Sequence, residues 1–212
     1  MHYQEAKVYS HPRSGSHYMA SLLNKNFFQQ DDYVKCCYGG HVCDEDLVKD
    51  KNRANIYIHR KKEDVLKSVF KLRTRFGITT NDYQKFLRLK YKDQCQLHIV
   101  GYAKVIRDGE KEFIDDISRY FFSIDATPPE YHRYHKEFWD KLADKHRNVL
   151  IVKYEDLNTN FESTLKRAAY FLGSDKCHFS DIERKVGWSP LNSSEKIIHL
   201  FQTYFKKLKN KL

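Results

Sequence analysis

Ala6-Lys-Val-Tyr-Ser-His-Pro-Arg-Ser-Gly-Ser-His17 is the stretch that decides the fold. A β-prone run over Ala6–His11 ends at Pro12, and apolar residues at helical spacing follow from Ser14 to Phe28. A turn of small residues between a strand and a helix directs backbone N–H groups at one point, where the helix dipole adds positive potential. The stretch predicts an anion-binding loop, and an ordinary strand-to-helix turn is the alternative that spacing leaves open.

The side chains of this loop favour an anionic ligand. Arg13 supplies a fixed positive charge, Ser14 and Ser16 supply hydroxyl donors, and Gly15 permits close approach to the backbone. The Gly-x-x-x-x-Gly-Lys-Ser/Thr motif of nucleoside-triphosphate enzymes is absent from the sequence. With no obvious pair of magnesium-binding carboxylates either, the sequence argues against a kinase.

Strands and helices alternate along the rest of the chain. Three further β-prone runs are predicted, at 33–38, 54–59 and 148–153. The predicted helices cover 61–76, most of 80–146, a segment that ends at Leu172, and 192–212. Helices between strands imply crossover connections. The predicted class is therefore α/β, with a central, mostly parallel sheet flanked by helices.

The helix predicted up to Leu172 has both of its ends marked in the sequence. Thr159 and Glu162 have the spacing of a capping box, and Gly173 is placed to end the helix. No repeat, low-complexity tract or Gly/Ser/Pro linker interrupts the chain. We therefore expect a single domain over 1–212.

The composition points to an anionic partner. The chain has 38 Lys and Arg residues against 28 Asp and Glu, and segment 59–76 holds seven basic residues against two acidic ones. Aromatic residues make up 15% of the chain, which excludes a disordered or collagen-like protein. Nucleic acid, a phosphate-bearing ligand, a membrane surface and an acidic polymer all remain open at this point.

The sequence carries no mark of a secreted or membrane-spanning protein. Its apolar runs are only a few residues long, and Met1 to Lys7 lacks the apolar segment of a signal peptide. Its five cysteines are odd in number and irregularly spaced, which is typical of reduced thiols. The spacing of Cys36, Cys37, His41 and Cys43 fits no standard structural zinc site. We therefore expect a cytoplasmic protein that holds no metal.

Two further groups of residues follow predicted strands. Arg60 stands at the carboxyl end of the strand 54–59, where ligands of open α/β sheets bind, and Ser68 lies two helical turns further on. A basic helix that faces solvent is the alternative. His41 follows Gly39-Gly40, where a histidine is open to a substrate and can act as a general base near neutral pH.

A segment rich in histidine and aromatic residues, Tyr131 to Trp139, allows two interpretations. It could line the pocket for a substrate that accepts a transferred group. Alternatively, it forms a helix with Phe138 and Trp139 packed inward and with His132 and His135 facing solvent.

Together these motifs resemble those of the sulfotransferases that use 3′-phosphoadenosine 5′-phosphosulfate (PAPS). The family's T/S-Y-P-K/R-S-G-x-T-W is similar to Ser10-His-Pro-Arg-Ser-Gly-Ser-His-Tyr18. Its I-Y-x-x-R-x-P-x-D-V-x-x-S is similar to Ile56-Tyr-Ile-His-Arg-Lys-Lys-Glu-Asp-Val-Leu-Lys-Ser68. Its v-l-x-v-x-Y-E-D-L and F-L-G are similar to Val149-Leu-Ile-Val-Lys-Tyr-Glu-Asp-Leu157 and Phe171-Leu-Gly173.

The resemblance implies a P-loop-like sulfotransferase fold and an enzyme that takes PAPS and no metal. Arg13 and its loop would bind the 5′-phosphosulfate, and Arg60 with Ser68 would hold the 3′-phosphate. His41 falls where the family keeps its catalytic base, and Gly39-Gly40 replaces the family's Lys-Thr before it, which leaves Arg13 as the catalytic cation. The cofactor-binding residues that the resemblance gives are Arg13, Ser14, Gly15, Ser16, His17, Tyr18 (stacked on adenine), Arg60, Ser68, Arg184 and Lys185.

The resemblance leaves the acceptor open. Residues 74–135 would form its pocket and lid, but they hold no motif that separates a saccharide, a lipid or another small hydroxyl or amine compound. Arg184 and Lys185 stand in a block shorter than the family's R-K-G-x-x-G-D-W, and the end of a basic helix is the alternative there. The other function considered is a basic nucleic-acid-binding protein without catalysis, which no RNP-like, zinc-finger or helix-turn-helix pattern supports.

Overall fold

The computed structural model describes residues 3–29, 37–95, 121 and 124–182. The strands are β1 (Glu5–Tyr9), β2 (Tyr38–Gly40), β3 (Arg53–His59) and β4 (Val149–Lys153). The helices are α1 (Ser16–Leu23), α2 (Lys62–Lys71), α3 (Tyr83–Arg88), α4 (Tyr91–Gln94), α5 (Pro128–Lys145), α6 (Tyr154–Thr159) and α7 (Phe161–Leu172). A π-helical stretch, Asn24–Phe28, continues α1, and 3₁₀ turns span Glu45–Val48 and Arg73–Phe76.

The four strands form one parallel sheet in the order β2-β1-β3-β4. Tyr9 of β1 is level with Tyr57 of β3, and Ser10 donates its N–H to the carbonyl of Gly40 at 3.2 Å. Since parallel strands run in one direction, the residues that follow them come to the same edge of the sheet. These residues are Ser10, His41, Arg60 and Tyr154.

The two faces of the sheet are covered by different helices. Val8, Ile56 and Ile58 pack into a core with residues of α1 and α7. Tyr9 and Tyr57, which point to the opposite face because strand side chains alternate, pack with Trp139 and Leu142 of α5. A separate cluster joins α2, α3 and α4. No helix in the described part of the chain is both long enough and apolar enough to cross a membrane.

The predicted class and most of the predicted elements are confirmed. The runs at 6–11 and 54–59 overlap β1 and β3, which each begin one residue earlier, and the run at 148–153 contains β4. The helix predicted over 61–76 ends earlier, at Lys71, because Leu72 leaves helical geometry and a 3₁₀ turn follows. The helix predicted over 192–212 lies outside the described residues, and the single domain over 1–212 stays a prediction.

The second predicted strand is shifted along the chain. Within the predicted 33–38 the structure describes Cys37 as helical, and β2 begins only at Tyr38 and includes Gly39 and Gly40. Gly39 lies against the ring of Tyr9, where a Cβ atom would overlap the ring. Gly39 therefore allows β2 to pair closely with β1.

The capping box predicted at Thr159 and Glu162 is wrong. Thr159 ends α6, and its hydroxyl donates to the carbonyl of Glu155 at 3.2 Å instead of capping a following helix. Asn160 occupies the N-cap of α7. The other end agrees with the sequence, since Gly173 adopts a left-handed conformation with φ of 75° after Leu172.

Gly15 provides a test of the packing beneath the loop. Its φ is +98°, and a Cβ atom there would overlap the ring of Tyr154, whereas Gly40 has a φ of +100° and no described atom within 4 Å of an added Cβ. We expect Gly40→Ala to lower the free energy of unfolding by about 1 kcal/mol through backbone strain. Gly15→Ala should lower it by about 1–3 kcal/mol more through the clash, as measured by urea unfolding. Equal losses would show that Tyr154 does not press on Gly15.

Candidate active site

The loop between β1 and α1 is held in an uncommon backbone conformation. Arg13 has a φ of 72°, which is rare for a residue other than glycine, and Gly15 follows with φ of 98°. Ser14 donates its N–H to the carbonyl of His11 at 3.2 Å, which closes the turn. The hydroxyl of Ser14 is buried and has no hydrogen-bond partner among the described residues. A buried, unsatisfied donor at the start of a helix indicates a place for an anion.

Two residues that are 55 positions apart in the sequence meet above this loop. Arg13 donates from Nε to the hydroxyl of Ser68 at 3.1 Å. The sequence paired Ser68 with Arg60, but the described contact of the Ser68 hydroxyl is with Arg13. The predicted loop and the predicted basic helix therefore form one site.

Arg60 lies on the same side of the site as Arg13. Burial is the main cause that lowers the pKa of Arg13 from its usual value, and the positive charge of Arg60 lowers it further. The Arg60 guanidinium lies over the ring of Tyr154, 4.9 Å from its centre, and 4.0 Å from the carboxylate of Asp64. The two guanidinium charges lie close together, and the described ion pair of Arg60 with Asp64 is at the limit of ion pairing, so an anion would compensate the positive charge that remains.

A cavity of about 490 Å³ opens beside Arg60. It lies between the residues that follow β3 and the first turns of α5. Five of its ten lining residues are Lys or Arg and two are Glu; the residues are His59, Arg60, Lys61, Lys62, Glu63, Pro129, Glu130, His132, Arg133 and Lys136. The excess of basic over acidic groups extends the positive potential of the loop along the edge of the sheet.

His41 is a buried, neutral imidazole in the structure. Its Nδ1 lies 2.7 Å from the backbone carbonyl of Ser10, which only accepts hydrogen bonds, so Nδ1 carries the proton. Its Nε2 accepts from the hydroxyl of Tyr38 at 3.1 Å. Burial lowers the pKa of His41 to about 3, and the nearby His17 and Arg13 act in the same direction. Nε2 is therefore unprotonated, but the expectation that His41 is open to a substrate is wrong for this structure, because the ring is buried and the Tyr38 hydroxyl lies on Nε2.

The remaining loop residues are held by neighbouring aromatic and acidic groups. His17 stacks on Tyr38, with ring centres 4.7 Å apart. Tyr18 is buried, and its hydroxyl donates to Asp181 at 2.8 Å. The adenine contact implied for Tyr18 stays a prediction. Arg184 and Lys185 lie outside the described residues.

Three histidines besides His41 are buried in the described structure. His11, His132 and His135 are buried, and the ring of His11 lies 5.2 Å from that of His132 and 5.7 Å from that of His135. The interpretation that His132 and His135 face solvent is wrong, because both lie on the face of α5 that carries Trp139. His132 and His135 are three residues apart and His135 and Trp139 are four apart, which was the sequence signal for this face.

Comparisons with known proteins agree with this architecture. The family model described as "Sulfotransferase domain" matches residues 41–210, a span that includes His41, Arg60 and Ser68 but not the loop at Arg13. Among solved structures, mouse sulfotransferase SULT7A1 complexed with PAP matches with a TM-score of 0.52 and 19% sequence identity.

The match to SULT7A1 covers 81% of this chain and 59% of that one, so the chain spans less than two thirds of that structure. No curated protein sequence matches the chain. The family model nevertheless covers most of the chain, and its span holds three of the residues that the structure brings to the sheet edge. The chain therefore belongs to the sulfotransferase domain family.

Proposed function

We propose that this protein transfers a sulfuryl group from PAPS to a hydroxyl or amine of a small-molecule, lipid or saccharide acceptor, with His41 as the general base. The observation that carries the proposal is the meeting of Arg13, Ser68 and Arg60 next to an unsatisfied Ser14 hydroxyl. Two partly buried guanidinium groups, whose charge the described carboxylates neutralise only in part, favour a ligand with several negative charges. SULT7A1 is complexed with PAP, which is adenosine 3′,5′-bisphosphate, and this supports the same class of ligand.

Each end of the nucleotide has a group of residues to bind it in this proposal. Arg13 and the loop Ser14–His17 bind the 5′-phosphosulfate through the guanidinium, hydroxyls and backbone N–H groups. The bond from Nε to Ser68 fixes the plane of the Arg13 guanidinium and keeps its two terminal nitrogens for the ligand. Arg60 binds the 3′-phosphate at the mouth of the cationic cavity, with Ser68 beside it. Arg184 and Lys185 are further proposed contacts of this phosphate.

The chemistry follows from the positions of His41 and Arg13. When bound, PAPS supplies an activated sulfuryl group, whose transfer needs positioning and charge stabilisation more than covalent help from the protein. His41 takes the acceptor's proton on Nε2 while the acceptor atom bonds to sulfur and the bond from sulfur to the bridging oxygen breaks. Arg13 and the loop N–H groups stabilise the negative charge that remains on the leaving phosphate.

The acceptor must reach a nitrogen that Tyr38 occupies in the structure. The Tyr38 hydroxyl lies 3.1 Å from Nε2 of His41, which is the distance at which an acceptor oxygen would stand. The acceptor oxygen therefore replaces the Tyr38 oxygen on Nε2. We propose that residues 74–135 supply the rest of the acceptor pocket and its lid.

The proposed phosphate contacts are tested by comparing two nucleotides. Arg60→Ala should weaken the binding of adenosine 3′,5′-bisphosphate about 10- to 100-fold and that of adenosine 5′-phosphate much less, because only the bisphosphate has a 3′-phosphate. Isothermal titration calorimetry measures both affinities. Arg133→Ala, which removes a charge from the same cavity, is the matched control and should change each affinity only about three-fold or less. Equal losses for the two nucleotides in Arg60→Ala would contradict the assignment.

The class of function is tested by a ligand panel on the wild-type protein. Adenosine 3′,5′-bisphosphate should raise the melting temperature more than ATP, AMP or a single-stranded oligonucleotide. Stabilisation by the oligonucleotide alone, with an affinity that falls steeply with salt, would instead favour the nucleic-acid-binding function.

The proposed base is tested by His41→Ala. The variant should lose about 100-fold or more of the transfer from radiolabelled PAPS to an acceptor found by screening phenols, saccharides and lipids. Its affinity for the bisphosphate should stay within about three-fold, because His41 holds no phosphate in this proposal. The exposed His178→Ala is the control and should transfer at the wild-type rate. Wild-type turnover in His41→Ala would remove His41 from its role.

The protonation state of His41 gives a prediction that needs no substrate. Burial lowers its pKa to about 3, so the neutral form, whose Nε2 can accept a proton, predominates above that pH. Its imidazole NMR resonance, assigned by its absence from His41→Ala, should not titrate between about pH 8 and about pH 5. A midpoint near the ordinary histidine value would show that the ring is open to water.

A further inference from the structure

One face of α5 reaches the backbone on which His41 stands. His135 lies with Nε2 3.3 Å from the carbonyl oxygen of His41. One helical turn further on, Trp139 donates from Nε1 to the carbonyl oxygen of Val42 at 3.3 Å. Two consecutive peptide groups of the segment that follows β2 are therefore held from the same helix.

The hydrogen bonds of His135 determine its tautomer. The carbonyl of His41 only accepts, so Nε2 of His135 carries the proton and donates it. Nδ1 then accepts from the hydroxyl of Tyr57 at 3.1 Å. His135 is fully buried, and burial lowers its pKa to about 3, which keeps the ring in this neutral form. It thus links the backbone of His41 to a side chain of the central strand β3.

The helix is itself fixed on the sheet by stacked rings. Trp139 stacks on Tyr9 with ring centres 4.8 Å apart and on Tyr57 at 5.3 Å. His135 continues the stack on Tyr57 at 5.4 Å. Tyr9 and Tyr57 are register partners on β1 and β3, so the ring stack ties α5 to the two central strands. A contact made from this face is therefore made from a closely packed part of the core.

The segment that carries His41 has little rigidity of its own. The strand β2 is three residues long, and its register with β1 shifts between Val8 and Tyr9. Gly40, directly before His41, has a φ of +100°. Such a backbone has many accessible conformations, so the direction of the His41 ring depends on contacts from outside the strand.

We propose that His135 and Trp139 are positioning residues for His41. They fix the two carbonyl groups at His41 and Val42, while the Ser10 carbonyl fixes Nδ1 of the His41 ring, so Nε2 points to one place at the sheet edge. The inference rests on the proposed role of His41 as the base. An error of about 1 Å in the position of a catalytic group can reduce the rate about 100-fold, which is the physical reason for such a support.

The test uses two substitutions at His135 that differ in hydrogen bonding. His135→Phe keeps a ring of similar size but removes both hydrogen bonds, and its kcat with radiolabelled PAPS should fall about 10- to 100-fold. His135→Gln can still donate to the His41 carbonyl and accept from Tyr57, so its kcat should stay within about five-fold of wild type. Both variants should bind the bisphosphate within about three-fold of the wild-type affinity.

A control variant separates positioning from loss of stability. Leu142→Ala leaves a cavity on the same face of α5, in the cluster of Trp139, but leucine makes neither of the two hydrogen bonds to the His41 segment. Assayed below its melting temperature, Leu142→Ala should keep kcat while its melting temperature falls at least as far as that of His135→Phe. Equal losses of kcat in Leu142→Ala and His135→Phe would overturn the proposal, as would a wild-type kcat in folded His135→Phe.

The imidazole resonance of His41 gives a second measurement that does not depend on catalysis. It should broaden or move in His135→Phe and stay close to its wild-type position in His135→Gln and Leu142→Ala. If His41→Ala proves active, the proposed base fails, and this spectrum alone then decides whether His135 holds the His41 segment. An unchanged His41 resonance in His135→Phe would end the proposal even if His41 is the base.

Discussion

The parallel pairing of β1 with β3 is the constraint on which the rest of the structure depends. Its register sets Tyr9 beside Tyr57 and Ala6 beside Ala54, so the segments that follow the two strands leave the sheet at the same level. The anion loop follows β1, and Arg60 follows β3 in the connection to α2, so both start at the same level of the sheet. A slip of one strand by one residue would turn its tyrosine, Tyr9 or Tyr57, to the α1 face and remove part of the surface on which Trp139 stacks. The position of the loop, the proximity of Arg13 and Arg60, and the surface on which α5 packs all follow from one ladder of hydrogen bonds.

The site combines two kinds of group that the fold treats in opposite ways. The guanidinium groups of Arg13 and Arg60 keep their charge close together, and Asp64 and the ring of Tyr154 balance it only in part. The imidazoles of His11, His41, His132 and His135 lie in surroundings that lower their pKa values, chiefly through burial. In the proposed reaction, the arginines bind the anion and a buried histidine accepts the proton, so the two roles fall to different groups.

Local patterns in the sequence were enough for the class of fold and for the approximate positions of three of the four strands. The run from Ala6 to Ser16 and the spacing from Arg60 to Ser68 each lie within one strand-to-helix unit, so propensity and spacing carry the information. The contacts between units were beyond such patterns. Arg13 with Ser68 and His135 with His41 join residues 55 and 94 positions apart, and only the packed sheet brings them together. The misplaced capping box has the same cause, since Thr159 can cap a helix or end one, and tertiary packing selects the second.

The neutral state of the buried histidines has a consequence for how the protein recognises its ligand. Guanidinium groups keep their proton throughout the physiological range, and His41 and His135, whose pKa values burial lowers to about 3, do not acquire one there. The charge that these residues present at the edge of the sheet is therefore the same in a mildly acidic and in a mildly alkaline compartment. A phosphate monoester changes its own charge near pH 6. Where binding varies with acidity, the ligand and not the arginine–histidine edge is the partner that titrates.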